Sequence, residues 1–186
     1  SNGGIEVGCR LVHGMTTTLR RCLEDRIGHR IPPAHPSMSW LVSHAATIIT
    51  YNVCGEDGMS AYHRIRGRPF GGSWISFGEK VRFRMGRDVS DDKRAELAQG
   101  IFVGFQRNGA QYVIYDFNAQ KVVNSRTVTR LPDAMKWDSE ALQKVKCTPW
   151  QLHVPTEPEI IFKVILVVAR VAIVILCTGP TGLRSL

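Results

Sequence analysis

The fold class is decided by residues 100–117, Gly-Ile-Phe-Val-Gly-Phe-Gln-Arg-Asn-Gly-Ala-Gln-Tyr-Val-Ile-Tyr-Asp-Phe. Two runs rich in β-branched and aromatic residues flank the dipeptide Asn108-Gly109, which favours a tight hairpin turn. The stretch therefore predicts two antiparallel strands, one over 100–106 and the other over 111–117.

Strand-like patterns continue on both sides of this hairpin. Upstream, Val81 and Phe83 alternate with three basic residues, and downstream a further strand is predicted over 121–129. Four or five short strands at this spacing predict a small antiparallel barrel or meander over 71–132. The alternation assigns its interior to Val81, Phe83, Ile101, Val103, Val113, Tyr115 and Val122.

The first 70 residues carry helical periodicity instead. Apolar residues spaced by four and three predict one buried stripe on a helix that ends near Gly28: Ile5, Cys9, Val12, Thr16, Leu19 and Leu23. A second helix is predicted over 38–51, and a short third helix over 61–66, capped by Ser60 and closed by Gly67. Helices followed by antiparallel strands predict an α+β fold.

A second stripe on the first helix is charged, and comprises Glu6, Arg10, His13, Thr17, Arg20 and Glu24. A carboxylate followed by basic groups suits a metal-binding acid beside residues that bind phosphates. The alternative is an amphipathic helix with mixed charges on its solvated face, and spacing alone favours this alternative.

The composition favours a polyanionic partner. The 186 residues carry a net charge of +8, with 44% apolar and 22% charged residues, which is globular rather than disordered composition. Such a balance favours binding to nucleic acid or to an acidic membrane surface. Five cysteines, without a C-x-x-C pair, argue against a disulfide framework or a zinc module and indicate reduced thiols of an intracellular protein.

The C-terminal part differs from the rest. Residues 133–159 are mostly polar and proline-containing and predict a linker. Residues 160–178 are almost wholly apolar, interrupted by Lys163 and Arg170, and are about long enough to span a bilayer as a helix. A buried helix and an aggregation-prone strand are the alternatives.

Several motifs, taken in order, resemble a known family. Ser1-Asn2-Gly3-Gly4-Ile5-Glu6 resembles the third-acid motif of the retroviral-type integrase core, which has an RNase H-like fold. Trp40 and the run 60–69 are similar to the helices that follow it in copia-type retrotransposon polyproteins. The small β domain that comes next in that family is matched by Phe77-Gly78, the run 100–105, Asn108-Gly109, Tyr115-Asp116 and Ser125-Arg126-Thr127-Val128. The resemblance covers about residues 1–150.

The resemblance implies a function for particular residues. Glu6 would be the third catalytic acid and a ligand of Mg²⁺, while Arg10, His13 and Arg20 would contact DNA on the same helix. Arg64, Arg66 and Arg68 would clamp the DNA backbone. The family's chemistry is phosphoryl transfer by two metal ions held by three acids.

The other two acids of that set would precede Glu6, so we expect no integrase activity from this chain alone. The implied partners are DNA and other integrase subunits, and the implied location is intracellular, nuclear for an acting integrase. Two rivals stay open: a non-catalytic nucleic-acid-binding module, and a membrane-anchored relic held by residues 160–178.

Overall fold

The computed structural model describes residues 3–84, 97–106 and 111–152. The helices and strands in these ranges are α1 (Gly3–Ile27), α2 (Pro36–Asn52), α3 (Ala61–Arg66), β1 (Lys80–Arg84), β2 (Leu97–Phe105), β3 (Tyr112–Asp116), β4 (Lys121–Ser125), β5 (Val128–Arg130) and α4 (Ser139–Gln143). A single turn of 3-10 helix, Asp133–Met135, lies between β5 and α4. Helices followed by antiparallel strands confirm the predicted α+β class.

The five strands form one antiparallel sheet in the order β4-β3-β2-β1-β5. The edge strands β4 and β5 are joined by only two residues, 126 and 127. A flat sheet of five strands would separate its edges by about 19 Å, whereas the three Cα steps from Ser125 to Val128 span at most about 11 Å. The sheet must therefore curl strongly, which brings its two edges together.

The predicted hairpin joins β2 and β3. Ile101 pairs with Tyr115, and the amide of Gln106 donates to the carbonyl of Gln111 at 2.9 Å. The predicted turn residues, Asn108 and Gly109, lie outside the described residues. Strand β2 begins at Leu97 rather than at residue 100 because its first residues pair with the end of β1.

The sheet is buried on both faces, and this divides the predicted interior. One cluster packs Val81 and Phe83 with Phe102 and Ile114. Val81 pairs with Gly100 across β1 and β2, so Gly100 lies on this same face. The remaining predicted residues, Ile101, Val103, Val113, Tyr115 and the half-buried Val122, face the helices. Six of the seven residues are buried as predicted, and Val122 is half-buried. They divide between the two faces of the sheet because helices cover the second face.

Helices α1 and α2 provide that cover. Val12 and Leu23 of the predicted α1 stripe are buried, whereas Ile5 at its start is 41% exposed. On α2, Trp40 and Leu41 are buried in the same cluster as Leu23, as their spacing predicts.

Two glycines of the quoted motifs are required sterically. Gly78 has a φ of +81°, and a Cβ there would lie 2.8 Å from Cδ1 of Leu23 on α1. A Cβ on Gly100 would lie 2.5 Å from Cγ2 of Ile114 and 2.6 Å from the carbonyl oxygen of Tyr115. Both positions therefore need glycine so that neighbouring elements can pack closely.

Residues 133–152 differ from the predicted linker. Leu142, Val145 and Cys147 are buried against the helices and the sheet, and the indole Nε1 of Trp40 donates to the carbonyl of Cys147 at 2.7 Å. This segment therefore completes the core. Residues 153–159 and the predicted transmembrane helix over 160–178 lie outside the described residues. Within the part of the chain that the structure describes, no helix combines the length and apolarity needed to cross a membrane.

Candidate nucleic-acid interface

Helix α3 is short but fixed at both ends. The Ser60 hydroxyl caps its start by accepting from the His63 amide at 3.2 Å. Gly67 ends it in the left-handed conformation, with φ 70°, and its amide donates to the His63 carbonyl at 2.8 Å. These caps are the ones predicted from the sequence, and they define where the arginines at the end of the helix lie.

Arg64, the arginine nearest the start of α3, forms an ion pair within the fold. The Arg64 guanidinium donates to both carboxylate oxygens of Asp57, at 2.9 and 2.6 Å. Hydrogen bonds from Arg64 and from the amide of Met59 lower the pKa of Asp57 to about 2. Arg64 thus attaches the loop before α3 to the helix, and a phosphate would have to compete with Asp57 for it.

The other two predicted clamp residues are presented to solvent. The side chains of Arg66 and Arg68 are exposed and lie on either side of Gly67, where the chain leaves the helix. Guanidinium groups in such a position can donate two parallel hydrogen bonds to a phosphate. We call Arg66 and Arg68 the arginine pair.

An aromatic cluster lies beside the arginine pair, and sequence reasoning missed it. Tyr51 on α2 contacts Tyr62 on α3, with ring centroids 4.4 Å apart, and Phe70, at 4.7 Å. Phe70 in turn contacts Trp74 at 5.0 Å. The sequence signal was available: two aromatic residues, in the run Phe70-Gly71-Gly72-Ser73-Trp74, directly follow the arginine pair. We call Tyr51, Tyr62, Phe70 and Trp74 the aromatic cluster.

The positive charge of Arg66 acts on Tyr51, a member of the aromatic cluster. Burial raises the pKa of the Tyr51 hydroxyl, the neighbouring Tyr62 raises it further, and the positive charge of Arg66 opposes the rise. Arg68 is separated from Phe70 only by Pro69, so their Cα atoms are at most about 7.6 Å apart. Cationic and aromatic groups therefore occupy one surface.

The site residues that were predicted on α1 lie on a different helix from the arginine pair. Glu6, Arg10 and His13 are exposed on the first half of the helix. Arg20, in contrast, donates to Glu24 at 2.8 Å and to the Ile31 carbonyl at 2.5 Å, while Glu24 accepts from the Ile31 amide. Arg20 therefore holds the loop after α1, and a DNA contact would have to share its guanidinium.

The ligand set implied for Mg²⁺ is not assembled by the described residues. The next acid after Glu6 on α1 is Glu24, eighteen positions further along the helix and so about 27 Å away. Among the residues that the structure describes, no three His, Cys, Asp or Glu side chains come together as ligands for an ion. A site for two metal ions needs several carboxylates around them, and Glu6 supplies only one.

Other basic residues are held by carboxylates. Arg130 donates to both oxygens of Glu79, at 2.7 and 2.8 Å, and Glu79 is fully buried. Lys80 donates to Asp138 at 3.1 Å. These two cations are paired with carboxylates, so exposed arginines such as Arg66 and Arg68 are better candidates for binding a polyanion.

Comparisons with known proteins add no relative. No protein-family model, curated protein or solved structure matched this chain.

Proposed function

We propose that this chain is a nucleic-acid-binding segment of a copia-type retrotransposon integrase, and that it binds DNA without cutting and joining it by itself. The observation that carries the binding part is the arginine pair, two exposed guanidinium groups at the end of a capped helix. Phosphate contacts by arginine supply most of the sequence-independent affinity for DNA.

The integrase part of the proposal rests on the order of motifs in the sequence. Gly78 and Gly100, which belong to two of these motifs, are needed for close packing. Asp116, from a third motif, accepts from the amides of Asn118 and Ala119 at 2.9 and 3.0 Å and so fixes the turn before β4. These roles explain why a β domain of this kind would use such residues.

Catalysis is not part of the proposed activity of the chain alone. Glu6 would be one of three acids in the intact family, and the described residues do not bring two others to it. The replacement Glu6→Gln should therefore leave DNA binding unchanged, whether or not Mg²⁺ is added. Metal-dependent strand transfer by the purified chain would overturn this part of the proposal.

The binding part predicts a specific effect of the arginine pair. In Arg66→Ala/Arg68→Ala, two phosphate contacts are lost, so the plot of log binding constant against log salt concentration for duplex DNA should become shallower by about 2. Fluorescence anisotropy of a labelled duplex, titrated with the full chain at several salt concentrations, measures this slope.

A matched control removes the same charge elsewhere. Lys144 and Lys146 are exposed at and beyond the end of α4, and Lys144→Ala/Lys146→Ala lowers the net charge by the same two units. We expect this variant to keep most of the wild-type slope. Equal losses in both double variants would mean that only net charge matters, and no binding by the wild type would refute the proposal.

A further inference from the structure

Trp74 is the most exposed member of the aromatic cluster. The residue is 39% exposed, yet its ring contacts Phe70 at 5.0 Å, Phe105 at 5.3 Å and Tyr51 at 6.0 Å between ring centroids. A large aromatic side chain that is held by its neighbours and still open to water presents a fixed apolar face that a ligand can cover.

The loop that carries Trp74 is held at two points. A Cβ on Gly72 would lie 2.4 Å from the Phe70 ring, so the chain packs tightly around that ring. At Ser73, the carbonyl accepts from the hydroxyl of Tyr112 on β3 at 3.1 Å. The position of the indole is therefore set before any ligand arrives, which lowers the entropic cost of binding.

The neighbourhood of Trp74 combines aromatic surface with positive charge. The charge of Arg66 is felt at Tyr51, which is itself in contact with Trp74. Proteins that bind single-stranded nucleic acid use this combination, in which cations follow the backbone and aromatic rings stack on the bases. Duplex DNA does not offer its base faces in this way, because they are already stacked on one another.

We propose that Trp74 is a stacking platform for an unpaired nucleobase, with the arginine pair contacting the adjoining phosphates. This inference rests on the proposed nucleic-acid binding and names its preferred substrate as single-stranded nucleic acid. Stacking does not select one base over another, since every base has an aromatic face.

The test compares substitutions at Trp74 in the full chain. Trp74→Ala should weaken binding of a labelled oligothymidylate by about 5- to 150-fold, the range measured when a stacking residue is removed. Trp74→Phe keeps an aromatic face and should retain most of the affinity. Binding of duplex DNA should be the same in both variants, because no base is stacked on the indole there.

Ile65 offers a matched control on the same surface. It is 59% exposed on α3, and Ile65→Ala removes exposed apolar area without removing an aromatic face. This variant should bind oligothymidylate like the wild type. Thermal unfolding of each variant, followed by circular dichroism, shows whether a loss of affinity comes from unfolding.

The outcomes separate this inference from the proposed function. If the wild type binds duplex and single strands but Trp74→Ala binds oligothymidylate as tightly as Trp74→Phe, the stacking platform is refuted and the proposed function stands. If neither nucleic acid binds, the proposed function itself fails. Loss of affinity in Ile65→Ala equal to that in Trp74→Ala would indicate that exposed apolar area, rather than an aromatic face, supports binding, and would also refute stacking.

Discussion

At the scale of single residues, His44 has an unusual environment. It is buried on α2 among aromatic rings, with Phe77, Phe102 and Phe105 at centroid distances of 5.6, 5.5 and 6.2 Å. Its Nδ1 has no hydrogen-bond partner among the described residues. Burial lowers the pKa of His44 to about 4, because the protonated ring loses its hydration there.

This environment predicts a loss of stability in mild acid. The unfolded chain binds a proton at His44 near pH 6.5, whereas the folded chain binds it only near pH 4. The neutral form of His44 therefore imposes no loss of stability above pH 6.5. As pH falls through this window, the free energy of unfolding should decrease by about 3 kcal/mol on account of His44. Urea denaturation at a series of pH values measures the decrease.

Two variants identify the residue responsible. His44→Leu should flatten most of the decrease between pH 6.5 and 5, with the remainder reporting half-buried His35, whose pKa burial also lowers. His35→Gln should remove only that remainder and keep most of the decrease seen in the wild type. An equally steep decrease in His44→Leu would show that other groups cause it.

At the scale of elements, replacing glycine by alanine should have opposite effects on stability at the C-terminal cap of α3 and in the interior of α1. Gly67 has a φ of +70° and Gly14 lies inside α1, and a Cβ at either site would meet nothing within 4 Å. Gly67→Ala should therefore destabilise by about 1–2 kcal/mol through backbone strain alone. Gly14→Ala should stabilise by roughly 0.5–1 kcal/mol, since alanine favours a helix interior.

Urea denaturation gives both free energies, and changes of the same sign would contradict the assignment of the two backbone conformations. Binding adds a second measurement. Because Gly67 positions the arginine pair, its replacement should also weaken DNA binding, while Gly14→Ala should not.

Element boundaries were predictable where the signal is local. Helix α3 runs from Ala61 to Arg66 as predicted, because Ser60 and Gly67 act within one turn of its ends. The strand predicted over 121–129 is instead two strands, with a break where the Ser125 hydroxyl donates to the Thr127 carbonyl at 2.8 Å. That break depends on the curl of the whole sheet, which no nearby residue specifies.

At the scale of the whole molecule, the sequence shows how much charge there is but not which charges are available. Arg64 and Arg66 are two positions apart, yet Arg64 contacts Asp57 and Arg66 is exposed. Likewise, the buried Glu79 forms an ion pair with Arg130, which lies 51 positions further along the sequence. Such pairings arise from tertiary contacts, so the sequence could name the arginines of the candidate site but not which of them are exposed.

The aromatic cluster was not predictable for the same reason. Its members come from α2, α3 and the loop that follows α3, and the packing of α2 against α3 brings Tyr51 into contact with Tyr62 and Phe70. The one local indication was that two aromatic residues, Phe70 and Trp74, follow the arginine pair in the sequence. The net charge of +8 is consistent with the polyanionic partner that we propose for this surface.

Ultraviolet crosslinking of oligothymidylate to the full chain, followed by peptide mapping with mass spectrometry, tests most directly whether this surface binds nucleic acid. We expect the crosslinked nucleotides on residues 61–74, with Trp74 and Tyr62 as the modified side chains, and fewer crosslinks as salt increases. Crosslinks confined to another segment of the chain, or none at concentrations that saturate binding, would contradict the assignment of this surface.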